Sequence, residues 1–155
     1  MFSIRKIPVL LIFLFLGSHS FAGQQAHVVV ELFTSQGCSS CPPADAFHRE
    51  LSTKNNVLAL AFHVDYWDYI GWKDSFAHPI FSKRQKTYAR LASQTAVYTP
   101  QFMINGQTAV AGSEPNKLRR EISKSLQIKN QIQIALSSAG NQVQIDLSEA
   151  KPARA

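Results

Sequence analysis

Apolar residues fall along this chain in three rhythms, and each predicts a different element. Val28-Val29-Val30-Glu31-Leu32-Phe33 is short, apolar and β-branched and reads as a buried strand. Val57 to Val64 repeats the pattern and reads as a second strand, central and buried on both faces. Helical spacing follows in three places. Ala44, Phe47 and Leu51 share one face after Pro42 and Pro43, two prolines that a first helical turn accepts. Pro79 to about Leu91 predicts a helix with Ile80, Tyr88 and Leu91 inward, and Leu118, Ile122 and Leu126 mark a last helix opened by Gly112-Ser113. Between these, Gln101–Ile104 and Thr108–Ala111 flank Asn105-Gly106, a strong hairpin signal. The rhythm then changes to two. Gln131–Leu136 and Gln142–Leu147, around Ser138–Asn141, predict a hairpin with one apolar face, and such a pair is marginal in water unless it packs on something. The order β-α-β-α-β-β-α plus a hairpin argues for an α/β layered domain with an antiparallel pair in its sheet.

The first residues obey none of these patterns. Arg5 and Lys6 precede ten nearly unbroken apolar residues, Ile7–Leu16, and Ser20-Phe21-Ala22 fits a small-x-small cleavage site. Ten helical residues rise about 15 Å, roughly half a bilayer core, so the segment reads as a cleaved signal peptide and not as a stable span. The expected organisation is therefore a leader at 1–22, an α/β domain at 23–128, a hairpin at 129–148 and a tail at 149–155. Export to the periplasm or beyond is the expectation for localisation. Loss of Arg5 and Lys6 lowers the net charge from +6 to +4. No dense Lys/Arg run with interleaved aromatics appears; the densest basic stretch, Lys83, Arg84, Lys86 and Arg90, is four spaced charges and reads as a solvated helix face, so nucleic acid is not an expected partner.

Only two cysteines are present, Cys38 and Cys41, separated by Ser39-Ser40 at a predicted helix start. A helix N-terminus carries partial positive charge and free N–H groups, which favour a thiolate. In a redox reading Cys38, exposed before the helix, attacks, and Cys41, one turn deeper, resolves the mixed disulfide. Other readings stay open. The pair can be a structural staple, although so short a loop constrains the unfolded chain weakly. With His63 it can hold copper or zinc, although no second cysteine pair and no His-x₃₋₅-His accompanies it. Two unrelated buried thiols are the remaining option. Glu31, a lone carboxylate in an apolar strand, is costly to ionise there. Asp65, Tyr66, Trp67 and Asp68 follow the second strand, where ligands of open α/β sheets gather, so they are candidates to rim a substrate groove; packing down over the core is their other role.

Three runs carry a resemblance: Glu31 to Asp45, His63 to Trp72, and Val97-Tyr98-Thr99-Pro100-Gln101. Together they resemble the DUF1223 family of exported bacterial proteins, over roughly residues 27–126. The resemblance implies a thioredoxin-like three-layer α/β fold with a mixed central sheet, and a family without an established biochemical function. By further similarity to thioredoxins it implies a cis-proline at Pro100, after Thr99, facing the dithiol, and a proton-exchanging acid at Glu31. Ser39-Ser40 lacks the proline found between many thioredoxin cysteines, and no tryptophan precedes Cys38. The family commonly continues into a longer C-terminal β region, of which this hairpin reads as a shortened form. The functional expectation is thiol–disulfide exchange with a protein or small-molecule partner, through Cys38, Cys41, Pro100 and Glu31, with Thr99, Asp65, Tyr66 and Trp67 at the substrate and no cofactor. Two rivals stand beside it. One is a metal-binding module on Cys38, Cys41 and His63. The other is an idle scaffold that presents Tyr66, Trp67 and Trp72 to a partner.

Overall fold

A computed structural model of the chain describes residues 27–128 and 132–149; the expected leader, 1–22, and nearly all of the tail lie outside them. Four strands form one mixed sheet: β1 (Val28–Thr34), β2 (Val57–His63), β3 (Gln101–Ile104) and β4 (Thr108–Ala111), in the order β2-β1-β3-β4. β1 runs parallel to β2, with Val28 opposite Val57 and Thr34 opposite His63. It runs antiparallel to β3, with Phe33 opposite Gln101, and β3 turns back into β4. Asn105 and Gly106 both adopt positive φ, 49° and 67°, as a two-residue hairpin turn requires. β1 is thus the central strand. β2 is at the edge, contrary to the expectation from its apolar run, and Leu58 is half exposed there. A run of apolar residues reports cover above and below a strand but is blind to whether its outer side is paired.

Alternation along β1 divides the core. Val28, Val30 and Leu32 face α1 (Pro42–Leu51) and α3 (Pro115–Gln127), where they pack with Ala44, Leu51, Leu118 and Ile122. Glu31 and Phe33 face α2 (Pro79–Leu91) on the other side, where Phe33 clusters with Val64, Met103, Phe62 and Tyr88. The period of two on a strand makes this division obligatory. Helices on both faces of a mixed sheet give the three layers that the resemblance implied.

α1 and α3 bury the faces predicted for them. α2 does so only in part: Tyr88 packs inward against Phe33, but the fully buried residues are Ser82, Gln85 and Ala89, while Ile80 and Leu91 are exposed. Polar Ser82 and Gln85 can turn inward because their polar atoms are bonded there, Ser82 to Asp65 and Gln85 to Tyr66, Tyr98 and Gln101. β5 (Ile132–Ala139) and β6 (Gln142–Glu149) form a separate two-stranded sheet around a turn with Gly140 at φ 59°. Ile134, Leu136, Val143, Ile145 and Leu147 are all exposed, so among the described residues nothing covers the apolar face that was expected to pack.

Candidate functional site

The parallel pair β1–β2 delivers two loops to one end of the sheet, and antiparallel β3 begins there. The first loop, 35–41, ends in α1. Cys41 occupies the N-cap position and Pro42 and Pro43 fill the first turn, so the first helical N–H available is that of Ala44. Cys38 and Cys41 are joined by a disulfide with Cα atoms 5.4 Å apart. The loop is held by its own backbone: Cys38 N–H donates to Ser35 O at 3.1 Å and Cys41 N–H to Cys38 O at 3.2 Å. Thr34 Oγ1 donates to Asp45 Oδ1 at 2.7 Å, tying the end of β1 to the first turn of α1.

The Thr99–Pro100 peptide bond is cis. Gly112, leaving β4, brings this proline to α1. A Cβ on Gly112 would lie 2.4 Å from Pro100 Cγ and 3.0 Å from Ala44 Cβ, so only glycine allows the three to meet. Gly112 N–H also donates to Pro100 O at 2.9 Å. Pro100 therefore sits beside the first turn of α1, three residues beyond Cys41.

The aromatic loop after β2 joins these parts. Trp67 Nε1–H donates to Thr99 Oγ1 at 2.7 Å, and Trp72 Nε1–H to Gln36 Oε1 at 2.9 Å. Trp67 Cβ and Ile70 Cδ1 crowd Gly37 so closely that a Cβ there would be 3.1 Å from both. Cys38 is consequently not the exposed residue expected from sequence. It is 3% exposed and Cys41 is 0% exposed, whereas Ser39 and Ser40 between them are open to solvent.

Asp74, which no sequence pattern marks, holds the two loops together. Its carboxylate is buried, with Oδ2 accepting from Gln36 N–H at 2.8 Å and facing His63 Nδ1 at 2.7 Å. Oδ1 accepts from Phe76 N–H at 2.9 Å. Burial alone pushes the carboxyl group up, but the bonds from Gln36, His63 and Phe76 outweigh it and hold Asp74 below the usual aspartate value. No motif signals Asp74: its role comes from where a loop lands. His63 is thereby engaged on one ring nitrogen, and among the described residues no three His, Cys, Asp or Glu side chains are grouped to hold a metal.

Asp65 and Tyr66 are tied down to α2. Asp65 accepts from the Ser82 hydroxyl, and its N–H donates to Ser82 Oγ at 3.2 Å. Tyr66 O–H donates to Gln85 Oε1 at 3.1 Å, while Gln85 Nε2 donates to Tyr98 O and Gln101 Oε1 at 2.7 and 2.8 Å. Burial lifts the Tyr66 phenol above its ordinary value, against hydrogen bonds with Gln85 and Thr99 that lower it. Glu31 lies on the α2 face, opposite the face that carries α1. Arg84 Nη2 donates to its Oε1 and, at 2.8 Å, to the Tyr88 hydroxyl. The structure thus gathers Cys38, Cys41, Trp67, Thr99 and Pro100 at one end of the sheet and sets Glu31 apart from them.

A disulfide at the first turn of a helix, with a cis-proline loop beside that turn, defines a mixed α/β domain of the CxxC type. By sequence the chain belongs to DUF1223, a family described as of unknown function, which it matches over residues 29–155. It is also similar to an Agrobacterium tumefaciens protein solved by X-ray crystallography, at 41% identity and a TM-score of 0.69 over 80% of this chain. The match spans 57% of that longer chain. A search of curated proteins gave no match.

Proposed function

We propose that this is an exported, thioredoxin-like thiol–disulfide exchange protein acting on a thiol or disulfide partner. The observation that carries it is the juxtaposition just described: both cysteines at the start of α1, with the Thr99–Pro100 loop packed beside that turn through Gly112. In the reduced state Cys38 gives up its proton and its thiolate attacks a partner disulfide. A Cys38–partner bond forms, the partner's S–S bond breaks, and the departing sulfur takes up a proton. The Cys41 thiolate then attacks Cys38 Sγ and closes the disulfide, and the partner's second sulfur leaves and is protonated. Two electrons pass to the partner; the reverse sequence oxidises a dithiol. The backbone of Thr99 is suited to pair with an extended partner chain, since Pro100 brings no N–H of its own to that edge.

A second reading draws support from the burial of both sulfurs: a structural bond that braces a scaffold. The reduction potential separates the two. Equilibration of the mature protein with glutathione, followed by alkylation of free thiols, is expected to give a value between about −120 and −270 mV. A value below about −300 mV with slow exchange defeats the exchange reading and leaves the brace.

A further inference from the structure

α2 starts beside the end of β2, where His78 N–H donates to His63 O, and runs away from the site. Residues 92–100 return alongside it and re-enter the site at Thr99–Pro100. Between the helix and the returning segment lies a cavity of about 590 Å³, reaching Asp65 at its upper end. One wall carries Lys83, Lys86 and Arg90, which share a helix face at spacings of three and four. Asp65 is the single acid of the lining, and it already accepts from Ser82. Among the described residues none of the three cations pairs with a carboxylate; Arg90 Nη2 donates to Thr87 Oγ1 at 3.0 Å.

The opposite wall is the segment Gln94 to Val97, which is neither helix nor strand. Among the described residues the N–H and C=O groups of Thr95, Ala96 and Val97 make no hydrogen bond, whereas Gln94 N–H donates to Ala89 O at 2.8 Å and Tyr98 O accepts from Gln85. A segment with unpaired backbone groups, across a cavity from a cationic wall, offers what an extended, acidic chain needs for recognition. Pro79 to Arg90 spans about 16 Å along the helix axis, the length of roughly five extended residues. Val97 lies about 7 Å of extended chain before Thr99, so the lining segment ends close to the exchange site.

We propose that this groove recognises an acidic segment of the exchange partner, with carboxylates two to five residues from the reacting cysteine. The inference rests on the exchange reading and adds its substrate class. The test uses short cysteine peptides activated as mixed disulfides with thionitrobenzoate, carrying Glu, Gln or Lys at those positions on either side of the cysteine. Second-order rate constants of the reduced protein are expected to favour the Glu over the Gln peptide about fivefold to tenfold at low salt and to lose that ratio at high salt. The triple variant Lys83→Gln, Lys86→Gln, Arg90→Gln is expected to bring the ratio to about one. Equal rates for Glu and Gln peptides, or a ratio that survives in the triple variant, overturns the groove while exchange itself stands. If no peptide and no small disulfide reacts, exchange fails instead; fluorescence anisotropy of labelled peptides on the oxidised protein then reads the groove alone, where tighter binding of the Glu peptide supports it and equal binding overturns it.

Discussion

Asp74→Asn is the substitution that most directly tests how the site is held. The Asp74 carboxylate serves backbone donors on separate oxygens, Gln36 N–H on Oδ2 and Phe76 N–H on Oδ1, and also meets His63 Nδ1. An amide of the same shape offers one acceptor and sets an NH₂ group against the other donors. With only 2% of the residue exposed, water has little access to the orphaned N–H. A buried unsatisfied donor costs about 1–3 kcal/mol, and a hydrogen bond to a charged group contributes about 1.5–3 kcal/mol. The expected loss is about 2–3 kcal/mol, since His63 is partly exposed and recovers some of its share in water. In urea, with a slope of about 1–3 kcal/mol/M, the midpoint should fall by roughly 1–2 M.

The pH dependence adds an independent reading of the same contact. Asp74 is held below its unfolded value of about 3.9, so its contribution is fully present above that pH and is lost as pH falls through the folded value. Other carboxylates titrate too, and the quantity to follow is wild type minus variant. That difference should be constant from pH 7 to about pH 5 and shrink towards pH 3. A variant within about 0.5 kcal/mol of wild type, or a gap unchanged at pH 3, refutes the reasoning.

Three further outcomes follow from the packing. Gly112→Ala drives a Cβ to 2.4 Å from Pro100 Cγ and should cost about 1–3 kcal/mol, read as a lower melting temperature; an unchanged value would mean the Pro100–α1 contact is loose. Arg84→Leu leaves the buried Glu31 carboxylate without its cation and should destabilise by about 2–4 kcal/mol, while the double change Glu31→Leu, Arg84→Leu should recover most of that loss. A double variant as unstable as the single one counts against the pair. Under the exchange reading, Cys41→Ser should accumulate a partner-linked species on non-reducing gels and Cys38→Ser none; equal yields from both contradict Cys38 as the attacking sulfur.

What was legible in the sequence was what periodicity and backbone chemistry encode. The apolar faces of α1 and α3, the Asn105-Gly106 turn and the proline first turns follow from local rules, and each lies where those rules put it. α2 departed because it buries a polar stripe. Gln85 has both polar atoms bonded, to Tyr66, Tyr98 and Gln101, and Ser82 both donates to and accepts from Asp65. A side chain whose polar atoms are all bonded can take an inward position that hydropathy assigns to Ile80 or Leu91. Those partners come from three other segments, so no window along the helix contains the information. The same physics hid Asp74, which bonds to Gln36 and His63 from far along the chain. In this protein the apolar faces of β1, α1 and α3 were readable from local pattern, whereas the polar bonds that join the cysteine loop, the aromatic loop and the proline loop exist only once the fold has brought them together.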